Sequence, residues 1–469
     1  MNRLIIIGGV AAGMSAAAKA KRLRPGLTVD VYTDEIYASY SGCCLPYYAQ
    51  GVMEEIDDLI VRTPEQLKEQ GVNLHLGRRV SAIDPIGKTV TVESLQGSKD
   101  SVQNNMADAG QGFSQRFPKQ ESTKEVYDKL IIATGARPVI PDIPGKDHPA
   151  IHSVKRIEDV VQIRNLLRDG KAKRAVIVGG GFIGIEMVEA LYAYGAEISL
   201  VEMAPQILTI LDEDMAKIIE CHLAEKGVAV YKNEQVAAIR EGGGCARVIT
   251  NARELTADII LMAVGVEPNS GIAREAGIKL GARGAILVDN YMRTSAPDIY
   301  AAGDCATARN MLTGTDMYIP LGTTANKQGR IAGENAVGGV REFQGVIGTT
   351  IFKALDMEGS CTGLSLEGAR AAGFDAWESV VTADTIVDAY PGAGKMTVKL
   401  VMERGSNRLL GGQIAGSQKS AKRIDVLVSL IQTGASLHDL ARLDLSYAPP
   451  FADVWDALLV AANVALARA

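Results

Sequence analysis

The chain is poor in cysteine, in aromatic residues and in any excess of one charge. Its 469 residues include six cysteines, Cys43, Cys44, Cys221, Cys245, Cys305 and Cys361. Spread so thinly, they cannot staple a disulfide scaffold, and they lack the paired CxxC spacing of a zinc site. No metal centre is expected, and a reducing, cytoplasmic setting is. Aromatics make up 5% and basic residues number 49 against 55 acidic. That leaves neither the positive excess nor the stacking platform that nucleic-acid binding needs. Apolar material is plentiful: at 47% hydrophobic over this length, the chain can build several cores, and two to four domains are expected. One segment imitates a signal peptide, Arg3 followed by the apolar run Leu4 to Ala18. An internal repeat removes that reading, and no membrane partner is expected.

The repeat has two copies. Leu4-Ile5-Ile6-Ile7 runs into Gly8-Gly9-Val10-Ala11-Ala12-Gly13, and Ala175-Val176-Ile177-Val178 runs into Gly179-Gly180-Gly181-Phe182-Ile183-Gly184. Each reads as a buried strand, a glycine turn and a helix. The first glycine permits the tight turn, missing side chains let backbone N–H groups approach a pyrophosphate, and the last glycine lets helix and strand pack closely. The helix N-terminus then faces the phosphates. A second strand follows each helix, Thr28 to Tyr32 and Ile198 to Val201. Glu202 ends the second, 23 residues beyond Gly179, where a carboxylate binds an adenosine ribose and repels a 2′-phosphate. NADH is therefore expected ahead of NADPH. In the first copy Val10 replaces the middle glycine, and the ribose position falls near Thr33 and Asp34, of which Asp34 is the expected ligand.

Further motifs follow in order: Tyr127 to Pro138 with Ala133-Thr134-Gly135 at its centre, then Ala263-Val264-Gly265, then Ile299 to Asp304 ending in Gly303-Asp304. Together with the repeat they resemble the two-dinucleotide-binding-domain disulfide oxidoreductases over nearly the whole chain. The resemblance implies an α/β fold with two Rossmann-like domains, for FAD and NAD(H), and an α+β C-terminal dimerisation domain. It implies an FAD domain over residues 1–150 and 273–340, an inserted NAD(P)H domain over 151–272, and a dimerisation domain over 341–469. FAD would be held by Gly8, Gly9, Val10, Ala11, Gly13, Thr33, Asp34, Val80, Ala133, Thr134, Gly135, Gly303, Asp304 and Ala325. NADH would be held by Gly179, Gly181, Ile183, Gly184, Glu202 and Gly265.

Within that family, Ser39-Tyr40-Ser41-Gly42-Cys43-Cys44-Leu45-Pro46-Tyr47-Tyr48 is similar to the single-cysteine branch of coenzyme A disulfide reductases, polysulfide or persulfide reductases and NADH oxidases. The second cysteine of the dithiol branch would fall where Tyr48 stands. The histidine that peroxidase-type and many oxidase-type members carry in the first glycine loop is replaced by Ala11, which tilts the expectation to thiol substrates. Cys43 must be a thiolate to attack a disulfide or to accept electrons from the flavin. A helix beginning near Leu45, with Pro46 in its first turn, would favour one. Cys44 stands where glycine is usual. It is read as a bystander, with a strained vicinal Cys43–Cys44 disulfide as the alternative.

Val61 to Glu65, Asn326 to Arg330 and Tyr447 to Phe451 match the coenzyme A disulfide reductase group. The match implies that Tyr390 and Tyr447 reach the partner subunit's active site in a homodimer. It also implies that Lys19, Arg22, Ser39, Gly42 and Arg62 line the substrate site. Gly42 and Trp455 depart from the asparagine and lysine found there in some members, so smaller sulfur substrates stay open beside coenzyme A. An NADH oxidase, or a non-catalytic redox sensor or electron carrier, are the rival functions. The polar stretch between Ser94 and Lys124, aperiodic from Met106 to Gly112, is read as a mobile excursion.

Overall fold

A computed structural model describes residues 1–95 and 120–468. The aperiodic stretch 106–112 lies outside the described residues. The chain forms two compact units: residues 1–171, 265–309 and 315–345 make the first, and 172–264, 310–314 and 346–469 the second.

In the first unit, five parallel strands lie in the order Ile299–Ala301, Lys129–Ile132, Arg3–Ile7, Thr28–Tyr32 and Val72–His75. Leu4, Ile5, Ile6 and Ile7 are all buried, as expected for strands covered on both faces. The apolar run from Leu4 to Ala18 is therefore a strand and the Ala11–Leu23 helix. An antiparallel sheet of Arg78–Asp84, Thr89–Ser94 and Gln120–Val126 adds Val80, Val90 and Val92 to a core shared with Ile5, Ile7 and Tyr127. The Ile157–Arg168 helix belongs with this unit because Arg164 donates to Glu54 O at 2.7 Å and stacks over Tyr48 at 4.5 Å. With it, the first segment of this compact unit runs to residue 171.

The second unit contains parallel strands in the order Ala229–Lys232, Glu197–Glu202, Arg174–Val178 and Ile259–Met262. It also contains a five-stranded antiparallel sheet ordered Thr350–Ala354, Met357–Gly363, Leu409–Ser417, Lys395–Glu403 and Ala376–Asp384. The Ile424–Gln432 and Ala457–Leu466 helices contribute Leu427, Ile431, Leu458 and Ala461 to a core with Val398, Leu400 and Ile414 of that sheet. Lys399, only 3% exposed, joins the two halves of the unit by pairing with Asp212, Asp214 and Glu378 at 3.1, 2.8 and 2.6 Å. Burial opposes the ammonium, yet these carboxylates hold it above the ordinary lysine range.

Candidate active site

The glycine loops are built alike. Gly8 N–H donates to Tyr32 O, and Gly179 N–H to Val201 O, both at 2.8 Å. A Cβ on Gly8, where φ is +114°, would sit 2.0 Å from Ala133 O, and one on Gly179, φ +107°, 2.4 Å from Ala263 O. Only glycine fits there. Gly13 and Gly184 close the loops, since a Cβ on either would lie about 2 Å from its own loop's first carbonyl, at 1.9 Å from Gly8 O and 2.1 Å from Gly179 O. The helices that follow, Ala11–Leu23 and Phe182–Ala193, have no side-chain cap and no acid in the first turn. Their N–H groups, including those of Ala11 and Ile183, are thus left for a ligand.

The equivalent hydrogen bonds also fix which residues correspond at the ends of the two second strands, since Tyr32 pairs with Gly8 as Val201 does with Gly179. Thr33 occupies in the first copy the place of Glu202 in the second. Glu202 accepts the N–H groups of Gly180 and Ala204, both at 2.7 Å. Asp34, the expected ribose ligand, lies one residue on and is gripped by Arg79 at 3.3 Å and Arg156 at 3.2 Å. Sequence spacing could not separate two adjacent residues.

Asp304 follows the Ile299–Ala301 strand, and burial pushes its carboxyl above the usual range, partly offset by Lys155 at 3.8 Å. Gly303 N–H donates to the fully buried Gln328 at 2.9 Å, and a Cβ on Gly303 would press on Ala12 at 2.8 Å and Ala325 at 3.5 Å. Thr134 exchanges hydrogen bonds with Asn269, while Gly135 takes φ +67°. Gly265 takes φ +115°, and its carbonyl accepts from Val139. Tyr318 Oη is buried with no hydrogen-bond partner among the described residues. Lys155, Gln328 and Tyr318 were missed by sequence reasoning, although Gln328 lies inside one of the matched motifs.

Cys43 is exposed in the short Gly42–Cys44 turn that leads into the Leu45–Gln50 helix, with Pro46 in its first turn and Gly51 ending it at φ +91°. Its sulfur would be 3.4 Å from a Cβ on Gly322, the first residue of the Gly322–Ala336 helix. That helix too has no side-chain cap and no acid in its first turn. Its positive end favours a thiolate. No disulfide joins any of the described cysteines. Cys44 has φ −90° and ψ −6°, a conformation open to any residue, and Ser41 Oγ donates to its sulfur at 3.1 Å. Nothing lies within 4 Å of a Cβ on Gly42, so asparagine would fit there as well.

Ser39, buried at φ +53°, hands its carbonyl to Val61 N–H at 2.7 Å, which brings Arg62 to the same segment. Lys19 is paired with Glu334 at 3.0 Å, whereas Arg22 is exposed. In the second unit Tyr390 and Tyr447 are 39% and 49% exposed. Their loops are stapled together by Arg423, which donates to Asp456 at 2.7 Å, Thr385 O at 2.7 Å and Phe451 O at 3.1 Å. Glu186, on the second glycine-loop helix, was also missed; burial first and Glu189 next push its carboxyl up to about 7.

Residues 2–329 match the pyridine nucleotide-disulphide oxidoreductase family and residues 349–458 its dimerisation domain. The chain belongs to that family. It is 34% identical over 473 residues to an NAD(P)H coenzyme A polysulfide/persulfide reductase of Pyrococcus horikoshii, covering 99% of this chain and 98% of that one. To an NADH oxidase of Methanocaldococcus jannaschii it is 32% identical, with 99% of each covered. The solved structure of an NAD-dependent persulfide reductase from A. fulgidus superposes with a TM-score of 0.90 at 36% identity, covering 99% of this chain and 83% of that one. As a member of this oxidoreductase family the chain is an enzyme that uses FAD and NAD(P)H. The two glycine cradles, which a Cβ on Gly8, Gly13, Gly179 or Gly184 would fill and which uncapped helix ends back, fit two dinucleotides. Among the described residues no helix is long and apolar enough to cross a membrane.

Proposed function

We propose that this enzyme is a homodimer that uses NADH to reduce a disulfide, persulfide or polysulfide through one cysteine, Cys43. The observation that carries the reading is the exposed Cys43 sulfur beside Gly322, at the positive end of a 15-residue helix. Resemblance to proteins named as persulfide and polysulfide reductases supports it. Thr33, Thr134, Asp304 and Lys155, along the first glycine loop, would hold FAD, which when bound would supply acceptance of hydride from the nicotinamide and an electron pair for sulfur. The Cys43 thiolate attacks one sulfur of the substrate, forming a mixed disulfide and releasing a thiolate. Two electrons and two protons then return Cys43 to its reduced form and free the second thiol. Tyr390 and Tyr447, reaching across the dimer, protonate the leaving sulfur.

Cys43→Ser should abolish disulfide turnover while NADH still bleaches the flavin under anaerobic conditions. Loss of bleaching in a folded variant would show that Cys43 serves the flavin rather than the substrate. The oxidase reading, favoured by the relative named NADH oxidase, is decided by the rate with oxygen against that with disulfide or polysulfide. Ala11 leaves that loop without a base for peroxide chemistry, so the sulfur rate should be the larger.

A further inference from the structure

The Cys43 sulfur stays at the positive end of the Gly322–Ala336 helix only if the segment that carries it is held in place, and that segment has little internal support. The Leu45–Gln50 helix after the cysteine turn has six residues, fewer than two turns, and ends at Gly51 with φ +91°. A helix so short is not stable by itself, so its position must come from what it packs against. Its main packing partner is the Ile157–Arg168 helix.

From that helix Arg164 grips the far end of the segment. Its guanidinium lies over the ring of Tyr48, 4.5 Å from the centroid, and Tyr48 is only 7% exposed. One of its terminal nitrogens donates to Glu54 O at 2.7 Å and to Met53 O at 3.2 Å. Both carbonyls lie just past Gly51, beyond the end of the short helix. Stacking uses the face of the guanidinium and donation uses its edge, a combination that arginine allows and lysine does not.

The near end is reached from the same helix. Arg156, its N-cap residue, approaches Asp34 at 3.2 Å and Glu35 at 3.9 Å. Glu35 accepts the hydroxyl of Tyr40 at 2.7 Å, and Tyr40, 5% exposed, stands three residues before Cys43. Backbone bonds fix the neighbours of Tyr40: Ser39 N–H donates to Gly9 O at 2.7 Å and Ser41 N–H to Leu59 O at 2.9 Å. The near end therefore has backbone as well as side-chain support, whereas Arg164 grips the far end by its side chain alone.

On the premise that Cys43 is the reactive thiol, as in the function proposed above, we propose that Arg164 is a positioning residue for it. By clamping Tyr48 and the carbonyls of Met53 and Glu54, Arg164 keeps the Cys43 sulfur beside Gly322, where the helix end favours the thiolate. Arg156 supports the same turn from the other side through Glu35 and Tyr40. With the clamp gone, the sulfur leaves the helix end and behaves as an ordinary thiol, mostly protonated at neutral pH.

The test alkylates reduced, FAD-loaded enzyme with iodoacetamide at about pH 7 and follows each cysteine peptide by mass spectrometry. Cys221, exposed in the second unit, is the internal reference, and buried Cys305 reports unfolding. Arg164→Met keeps an apolar stem over Tyr48 but loses the guanidinium. It should slow Cys43 at least about fivefold, leave Cys221 within about twofold and leave Cys305 unmodified. Arg164→Lys should recover part of the loss, since charge returns without the planar stack. Tyr40→Phe, which removes one hydroxyl, should slow Cys43 about twofold. An unchanged or faster Cys43 in folded Arg164→Met would overturn the proposal. So would a slowing shared by Cys221, or reaction of Cys305, either of which marks general loosening. The rates are read without substrate, so a selective slowing of Cys43 supports the positioning role even if Cys43→Ser kept disulfide turnover, a result that would overturn only the function proposed above.

Discussion

The side-chain carbonyl of Gln328 accepts the backbone N–H of Gly303 at 2.9 Å, and the same side chain donates to Thr307 O at 2.9 Å. The residue is fully buried, so this one amide holds the turn that carries Asp304. Replacing it with leucine would strand one donor and one acceptor away from water. Gln328→Leu should cost roughly 2–4 kcal/mol, measured by urea unfolding with excess FAD, and should speed FAD release in gel filtration. A loss near zero would mean that the turn is held by packing alone.

Cys44 has a backbone conformation that tolerates any side chain. Cys44→Gly should therefore keep at least a tenth of the disulfide activity, a change below about 1.4 kcal/mol in transition-state terms. A vicinal-pair mechanism would instead make Cys44 as essential as Cys43. Mass spectrometry of the oxidised enzyme discriminates again: an adduct on Cys43 supports the single-cysteine chemistry, and an adduct-free, two-proton-lighter peptide containing both cysteines contradicts it.

Glu202 is pinned by the N–H groups of Gly180 and Ala204 at the end of its strand. Fixed there, its charge would repel a ribose 2′-phosphate. Wild-type enzyme should prefer NADH by at least about tenfold in kcat/KM, and Glu202→Ala should narrow that gap chiefly by weakening NADH. Equal efficiencies with both nucleotides in the wild type would contradict this role.

The Glu186 carboxyl lies above its ordinary value of 4.5, at about 7, owing first to burial and then to Glu189. Between those values the folded chain holds the proton more tightly than the unfolded chain, so this group lowers stability as pH rises through the window. Glu186→Gln should therefore gain more stability over wild type at about pH 8 than at about pH 5. Urea midpoints without NADH would check it, and an equal gain at both values would exclude a raised carboxyl.

The exposed Tyr390 and Tyr447, with Phe451 and Trp455 at 72% and 62% exposure, suit a surface completed by a second subunit. In dimers pairing a Cys43→Ser chain with a Tyr447→Phe chain, one of the two sites keeps both groups. Mixing the parents should recover about a quarter of wild-type activity, because half of the dimers are mixed and each has one intact site. No recovery from folded heterodimers would place Tyr447 in its own subunit's site.

Both glycine loops, their strands and helices and the helix after Cys43 were legible because their signals are local. A turn at positive φ demands glycine, a doubly covered strand demands an apolar run, and a first helical turn accepts proline. The same locality limited the reading. Thr33 and Asp34 are neighbours, and only the register of Tyr32 against Gly8 showed which of them stands where Glu202 does in the second unit. Pairings such as Gln328 with Gly303, Lys19 with Glu334, and Arg423 with Asp456 join residues 25, 315 and 33 positions apart, and nothing in the spacing marks them. By itself, then, the sequence determined the two glycine cradles and the cysteine turn that leads into a helix, each written in a few consecutive residues. Which charges are spent on one another and which stay open to a substrate was decided only by the tertiary structure, since burial and long-range packing choose the partner of every ion.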